Sequence, residues 1–230
     1  MKIPLKPLDT QLNTIKKAND LLSIWGEFGV GKTIFSIQIA LENISNYSKV
    51  YYFYSKPDLP IKNFKDIMEL RKFVHFENLI VIYLNNFKEL HSFIRRLESV
   101  FLNDLKRNRE PPKLLIFDSI TDLYRLTLNK SKKNSNVILN YKLNFILATI
   151  YYLKNKFDLD VIIVNESSKE MRNDLFYEIQ SGGKVMDYWV PCSFHIQRTD
   201  LMNKRRISLI RDGKTKADYI LSLTSYGFIL

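Results

Sequence analysis

Short apolar runs, rich in β-branched and aromatic residues, alternate along the chain with segments that carry apolar residues at helical spacing. The runs are too short for helices, so we predict that they form strands. Strands that alternate with helices are typical of a mostly parallel sheet covered by helices. The predicted strands comprise residues 21–25, 50–54, 79–84, 114–117 and 161–164.

Two of the intervening segments have the period of helices that pack on a sheet. Apolar residues recur at three- and four-residue spacing between residues 87 and 101, and the segment 137–153 is long and rich in apolar residues. After Gly182 and Gly183 the pattern changes to alternating runs separated by turn signals, which predicts an antiparallel C-terminal extension. Its predicted strands comprise residues 193–197, 206–211 and 219–224.

The length and composition of the chain fit a single α/β domain. It has 230 residues, of which 46% are hydrophobic, enough for one large core and too few for two well-developed ones. We expect a short lead-in over residues 1–20 and one core domain over residues 21–230.

The segment between the first predicted strand and the next helical run matches the phosphate-binding pattern G-x-x-x-x-G-K-[S/T] at every position. Glycines let backbone N–H groups converge on phosphates at the positive end of the following helix. Lys32 would reach the β- and γ-phosphates, and Thr33 would place its hydroxyl on Mg²⁺, which prefers hard oxygen ligands. The predicted nucleotide-binding residues are Gly26, Glu27, Phe28, Gly29, Val30, Gly31, Lys32 and Thr33.

An acid follows the fourth predicted strand. An apolar strand ending in Asp118 has the pattern of the Walker B element, whose acid holds Mg²⁺ directly or through a water. The alternative is that Asp118 caps the next helix, a role that Ser119 or Thr121 could also fill. With the phosphate loop upstream, the sequence favours Asp118 and Thr33 as the residues of a Mg²⁺ site.

The charge of the chain favours polyanionic partners. Thirty-five Lys and Arg against 24 Asp and Glu give a formal net charge of +11. The alternative interpretation is a solvated cationic surface. No apolar stretch reaches the roughly 18 residues of a membrane span and residues 1–20 lack the apolar core of a signal peptide, so we expect a cytoplasmic protein without a membrane partner.

Several segments resemble the archaeal RadA-type recombinases and their short paralogues, the RadB and RadC proteins. The phosphate loop has their GEFGxGKT form, and residues 114–125 are similar to their Walker B strand and first DNA loop. Asn165 and Glu166 end a strand similar to the one that ends in Thr-Asn-Gln before the second DNA loop, which Gly182 and Gly183 would close. Residues 8–12 resemble the LDxxL element that opens the ATPase core.

The resemblance implies a P-loop NTPase of the RecA type, with ATP and Mg²⁺ as cofactors and single-stranded DNA as a partner. It also implies contact with a RadA-type recombinase or another paralogue, as a homo- or hetero-oligomer. By composition alone, the basic stretch around residues 130–133 is either a loop suited to phosphates or a solvated loop tip. The DNA-binding residues implied by the resemblance are Arg125, Lys130, Lys132 and Lys133 in the first loop, and Lys169 and Arg172 in the second.

Two departures from the family pattern concern hydrolysis. The family's strand after the phosphate-loop helix ends in Asp-Thr-Glu, whose glutamate activates water, whereas residues 50–56 offer no acid. Asp58 is a candidate replacement, although neighbouring prolines constrain the backbone there. Glu166 stands where the family has a γ-phosphate-sensing glutamine; it would repel that phosphate unless paired, or act as a relocated base. Because losing an acid–base group costs about 10²–10⁴-fold in rate, we expect slow hydrolysis.

These observations favour an accessory RecA-family ATPase that binds DNA and modulates homologous recombination and DNA repair, with Lys32 and Asp118 as its main catalytic residues. One alternative is a non-hydrolysing, ATP-dependent adaptor for a recombinase or another repair protein. A second alternative is a KaiC-like signalling ATPase, which would share the fold without binding DNA.

Overall fold

The computed structural model describes residues 1–45, 48–58, 61–71, 75–128, 133–172 and 175–230, and these form a ten-stranded sheet with helices on both faces. The helices are α1 (Lys6–Ile15), α2 (Lys32–Asn43), α3 (Ile61–Arg71), α4 (Phe87–Lys106), α5 (Ile120–Thr127), α6 (Lys133–Phe157) and α7 (Gly183–Trp189). The strands are β1 (Leu22–Gly26), β2 (Val50–Tyr54), β3 (Leu79–Tyr83), β4 (Leu114–Asp118), β5 (Asp160–Arg172), β6 (Leu175–Gln180), β7 (Cys192–Arg198), β8 (Lys204–Arg211), β9 (Lys214–Thr224) and β10 (Gly227–Ile229).

The sheet is parallel in its centre and antiparallel at its C-terminal end, which confirms the predicted fold class. Its strand order is β10-β9-β8-β7-β1-β5-β4-β2-β3, with β6 paired to β5 alone. Strands β3, β2, β4, β5, β1 and β7 run parallel, and β7 to β10 pair antiparallel. The carboxyl ends of β1, β2, β4 and β5 therefore meet at one edge of the sheet, where ligands of open α/β folds bind.

Each face of the sheet is covered by its own hydrophobic core, because successive strand residues point to opposite faces. In β4, Ile116 joins the core beneath α1, α2 and α3, whereas its neighbour Phe117 joins the core beneath α4, α5 and α6. In β5, Val164 likewise joins the first of these cores and Ile163 the second. The central strands are therefore buried on both sides, which explains why the sequence shows them as continuous apolar runs.

The segment ahead of β1 also packs on the sheet. Leu8 and Leu12 lie four residues apart on α1, and both are fully buried in the core that contains Phe35 of α2. After α1, Asp20 forms an ion pair with Arg211 at the end of β8.

Two parts of the structure differ from the sequence-based expectations. The strand predicted at residues 161–164 continues to Arg172 and returns as β6, so that a β-hairpin projects where a loop was expected. Arg125, expected in a loop, lies instead on α5. That helix forms because Ser119 caps it, accepting from the N–H of Asp122, and because Ile120, Leu123 and Tyr124 are buried at helical spacing.

Within the described parts of the chain, the helices lack the combination of length and apolar character that crossing a bilayer requires.

Candidate nucleotide site

The phosphate loop joins the end of β1 to the start of α2, as its sequence predicts. Gly26 has a φ of +152°, and a Cβ added there would lie 2.1 Å from the carbonyl oxygen of Ile196 in the neighbouring strand β7. Gly31 caps α2 with a φ of +101°. Side chains at these two positions would be strained, so glycine is required for the loop to curl this close to the sheet.

The first turn of α2 faces the concave side of the loop. Phe35 donates the first hydrogen bond of the helix, to the carbonyl of Gly31. The N–H groups of Lys32, Thr33 and Ile34 precede that bond, and helix geometry gives them no acceptor within α2. Together with the helix dipole, they provide a site suited to an anion.

The side chain of Lys32 folds back over the loop and is almost completely buried. Its ammonium donates to the carbonyls of Gly26 at 3.0 Å and Glu27 at 2.6 Å, and to Oε2 of Glu166 at 2.7 Å. Burial lowers the pKa of Lys32, and the hydrogen bond and charge of Glu166 only partly offset that effect. The Glu166 carboxylate is thus paired with Lys32, and it would repel a phosphate if it lost this partner.

Thr33 and Asp118 form the second part of the site. The hydroxyl of Thr33 donates to Oδ2 of Asp118 at 2.6 Å, and Tyr52 donates to the same oxygen at 3.1 Å. Asp118 is fully buried. Ser119 takes the helix-capping role that was the alternative for Asp118. A hydroxyl and a carboxylate at the mouth of a phosphate loop are the hard oxygen donors that Mg²⁺ prefers, so the residues present fit this ion.

A second lysine, to which the sequence analysis gave no role, lies at the same place. The ammonium of Lys56 is 3.2 Å from Oδ1 of Asp118, 3.3 Å from the hydroxyl of Thr33 and 3.9 Å from Oε1 of Glu166. Burial would lower the pKa of Lys56, but the charges of Asp118, Asp122 and Glu166 outweigh it, and the pKa is raised. The sequence did contain a signal for this role. Lys56 follows a strand of the predicted parallel sheet, and the carboxyl end of that strand lies at the same edge of the sheet as Asp118.

An open cleft of about 850 Å³ adjoins these residues. Asp58 lies in its wall with an exposed side chain, and its carbonyl accepts a hydrogen bond from the hydroxyl of Tyr54 at 2.7 Å. Of the two candidate bases, Asp58 is therefore exposed to the cleft, whereas Glu166 is engaged with Lys32. The cleft is lined by Glu27, Phe28, Lys56, Pro57, Asp58, Asp122, Arg125, Glu166, Ser167 and Arg198.

The candidate DNA-binding residues are only partly within the described structure. Arg125 is exposed and lines both the cleft and a second pocket beside Gly182 and Gly183. Lys169 is exposed on the projecting hairpin of β5 and β6. Lys130 and Lys132 lie outside the described residues, as do the side chains of Lys133 and Arg172.

Buried polar side chains connect the cleft to the base of the hairpin. Asn165, which precedes Glu166 in β5, accepts a hydrogen bond from Thr121 of α5 and donates to the carbonyl of Ser181 at 2.6 Å. Ser23 of β1 donates to Gln180 at the end of β6. A displacement of Glu166 would therefore affect both α5 and the hairpin, because the hydrogen bonds of Asn165 join both elements to strand β5.

The sheet order, the phosphate loop and the buried acid at the end of β4 have the arrangement of the RecA-type P-loop fold. No family model matches the chain. It is 27% identical over 207 residues to the DNA repair and recombination protein RadB of Methanococcus maripaludis, across 90% of this chain and 89% of that protein. RadB of Methanobrevibacter smithii is 24% identical over 214 residues, across 91% and 87%, and RadB of Methanococcoides burtonii is 24% identical over 200 residues, across 87% and 84%. The chain's resemblance to the RecA-family paralogues of the RadB kind is thereby confirmed over nearly its whole length.

Proposed function

We propose that the chain is an ATP-binding, slowly hydrolysing RecA-family paralogue that binds DNA and acts in homologous recombination and DNA repair. The observation that carries the proposal is the phosphate loop, in which Lys32 folds back over the loop and Thr33 bonds to the buried Asp118. The similar proteins are named for DNA repair and recombination, and these names support a role of this chain in the same processes. The core domain is proposed to span residues 21–230, with residues 1–20 as its lead-in.

Nucleotide binding would require Lys32 to change partners. Its ammonium now bonds to Glu166 and to two loop carbonyls, and it would turn to the β- and γ-phosphates as the N–H groups of the first turn of α2 receive them. Thr33 and Asp118 would hold Mg²⁺, which when bound supplies positive charge to the phosphate oxygens. The carboxylate of Glu166, released from Lys32, would then need another partner.

Slow hydrolysis is the expected consequence of the acids present. Residues 50–56 offer no acid where the family has its glutamate, Asp58 is exposed at the cleft wall, and Glu166 becomes available only if ATP binding releases it from Lys32. A poorly placed base contributes little of the roughly 10²–10⁴-fold that acid–base catalysis supplies.

DNA binding is proposed for the surface beside the cleft. Arg125 and Lys169 are exposed on α5 and on the hairpin, and both elements connect to Asn165 and so to the nucleotide site. Lys130, Lys132, Lys133 and Arg172 stay candidates for DNA binding on the family resemblance alone. The net charge of +11 favours such contacts. A RadA-type recombinase or another paralogue is proposed as the protein partner.

The experiment that tests this function is ATP turnover with and without single-stranded DNA, measured for the wild type, Lys32→Ala and Asp58→Ala. The proposal expects slow turnover that DNA stimulates and that Lys32→Ala abolishes; loss in Asp58→Ala would identify the base. DNA binding that is absent or insensitive to salt would favour the signalling ATPase instead.

The non-hydrolysing adaptor is a second candidate function, favoured by one observation. A lysine, Lys56, occupies the segment after β2 where the family resemblance leads us to expect an acid, and its ammonium contacts Thr33 and Asp118. Tight ATP binding with no detectable turnover would select this candidate.

A further inference from the structure

The ammonium of Lys56 lies among the oxygens that the proposed function assigns to Mg²⁺. Thr33 Oγ1 is 3.3 Å away and Asp118 Oδ1 is 3.2 Å away. Oε1 of Glu166, which is not one of the proposed Mg²⁺ ligands, lies 3.9 Å from the same ammonium. The lysine side chain is 24% exposed, so most of it is enclosed by the site. A cationic group of the chain itself therefore lies close to both Thr33 and Asp118, the two residues proposed to hold Mg²⁺.

The backbone fixes Lys56 relative to Asp118. Ser55 donates its N–H to the carbonyl of Asp118 at 2.9 Å. The Ser55 hydroxyl accepts from the N–H of Ser119 at 2.8 Å and donates to the Ser119 carbonyl at 3.0 Å. Pro57 follows Lys56 and disfavours a helical backbone conformation there. The backbone next to Lys56 is thus held in place. Its side chain can contact Asp118 because β2 pairs with β4.

Lys56 offsets part of the negative charge of the site, to which Asp118, Asp122 and Glu166 all contribute. Asp118 and Glu166 are two acids, and Lys32 and Lys56 are the two lysines that contact them. Oδ1 of Asp118 is buried and accepts no hydrogen bond of regular geometry from the described residues, so its ion pair with Lys56 compensates its burial. Removing that ammonium would leave the buried Asp118 charge with the hydrogen bonds of Thr33 and Tyr52 to Oδ2 but without this ion pair, which is unfavourable until another cation arrives.

We propose that Lys56 supplies from within the chain the positive charge that a phosphate-loop site otherwise takes from Mg²⁺, so that ATP binding does not require a divalent cation. This inference rests on the proposed function, since it concerns the same nucleotide site. Lys32 and Lys56 together would face the phosphates. A divalent ion would have to displace the Lys56 ammonium from Thr33 and Asp118 before it could bind there, which offsets the gain from its own charge.

The test is the affinity of the full chain for ATP, measured by calorimetric titration in Mg²⁺ and again in a metal chelator. Lys56→Gln removes the charge and keeps much of the side chain, and Lys56→Arg keeps the charge. Lys62→Gln, at an exposed position on α3, is the matched control. Thermal unfolding of each variant establishes that it is folded.

We expect the ATP affinity of the wild type to differ by less than about threefold between Mg²⁺ and the chelator, and the affinity of Lys62→Gln to change as little. Lys56→Gln should lose about tenfold to a hundredfold in the chelator, the effect of a charge-assisted contact, and recover in Mg²⁺. Lys56→Arg should remain independent of Mg²⁺.

A wild type that loses about tenfold or more in ATP affinity in the chelator would overturn the inference, and this comparison needs only the wild type in two buffers. A wild type that binds no ATP in either condition would instead overturn the proposed nucleotide site. The two failures are therefore distinguishable.

Discussion

The ammonium of Lys32 lies 2.7 Å from Oε2 of Glu166, although the two residues are 134 positions apart in the chain. The pair joins the phosphate loop to the end of β5, directly beside Asn165 and its bonds to α5 and the hairpin. If Lys32 leaves Glu166 to bind a phosphate, as proposed, nucleotide binding would act on the strand that carries the candidate DNA-binding hairpin. This coupling provides a physical route by which ATP and DNA could influence each other.

Replacing Glu166 by Gln should raise ATP affinity while it lowers the stability of the ligand-free protein. The change removes a negative charge that competes with phosphate for Lys32, and we expect the affinity to rise by about tenfold. Without ATP, the ammonium of Lys32 would bond to a neutral amide instead of a carboxylate, which is a weaker interaction. The free energy of unfolding should therefore fall by about 1–3 kcal/mol. Titration calorimetry and urea unfolding measure the two effects.

Glu110→Gln, at an exposed position in the turn after α4, is the control and should change neither quantity. A Glu166→Gln protein that binds ATP more weakly than the wild type would contradict the account, because the carboxylate would then be helping nucleotide binding.

Replacing Gly26 by Ala should destabilise the protein severely. The new Cβ would lie 2.1 Å from the Ile196 carbonyl oxygen, which belongs to strand backbone and cannot move aside cheaply. We expect a loss of more than about 3 kcal/mol in unfolding free energy, or failure to fold.

Gly213→Ala is the matched variant. Gly213 also has a positive φ, +73°, but an added Cβ would meet no atom within 4 Å. It should cost only about 1–2 kcal/mol, the strain of the backbone conformation. Equal losses in the two alanine variants, measured by urea unfolding, would show that the contact with β7 is unimportant.

The stability of the protein should fall in acid through Asp160. Burial would raise the pKa of Asp160, but Lys16 and the other cations around it outweigh burial and lower the pKa to about 2. Because this pKa lies below the unfolded value of 3.8, the stabilisation is complete above about pH 4 and is lost as the pH falls towards 2. The shift corresponds to about 2 kcal/mol.

Urea unfolding of the wild type and Asp160→Asn across this range measures the effect. The variant should be less stable at pH 7, where Lys16 and Lys154 lose their shared carboxylate, and the difference should disappear near pH 2. A difference that is constant from pH 7 to pH 2 would contradict the assigned pKa.

Replacing Arg125 or Lys169 by Ala should weaken binding to a single-stranded oligonucleotide and flatten its dependence on salt. Each residue that contacts one phosphate contributes about 0.7 to the slope of log affinity against log salt for a single strand. Lys106→Ala, on the exposed surface of α4, is the control and should keep the wild-type slope. Unchanged slopes in both test variants would place the DNA elsewhere.

Each of three features could be predicted because the residues that form it are adjacent in the sequence. These features are the phosphate loop, the position of Asp118 at the end of a strand, and the central strands. The apolar runs of β1, β2 and β4 are buried on both faces, so burial and sequence pattern coincide. The hairpin of β5 and β6 was not predictable in this way. Its outer part carries polar residues such as Ser167 and Lys169, and residues such as Met171 and Phe176 are exposed, so the alternation that burial imposes is missing.

The position of Lys56 was not predictable for a different reason. Its contacts with Asp118 and Thr33 depend on the pairing of β2 with β4 and on the Ser55–Ser119 hydrogen bonds, which join residues far apart in sequence. A lysine after a strand is usually a solvated surface residue, and only the assembled sheet brings this one to the acids.

The most direct test of the central claim is calorimetric titration of ATP into the wild type and Lys32→Ala, with Lys62→Ala as the exposed control. If the phosphate loop is the nucleotide site, the wild type and Lys62→Ala bind ATP alike, and Lys32→Ala loses about tenfold to a hundredfold in affinity because a charge-assisted contact is removed. A folded Lys32→Ala protein that binds ATP as tightly as the wild type would contradict the account.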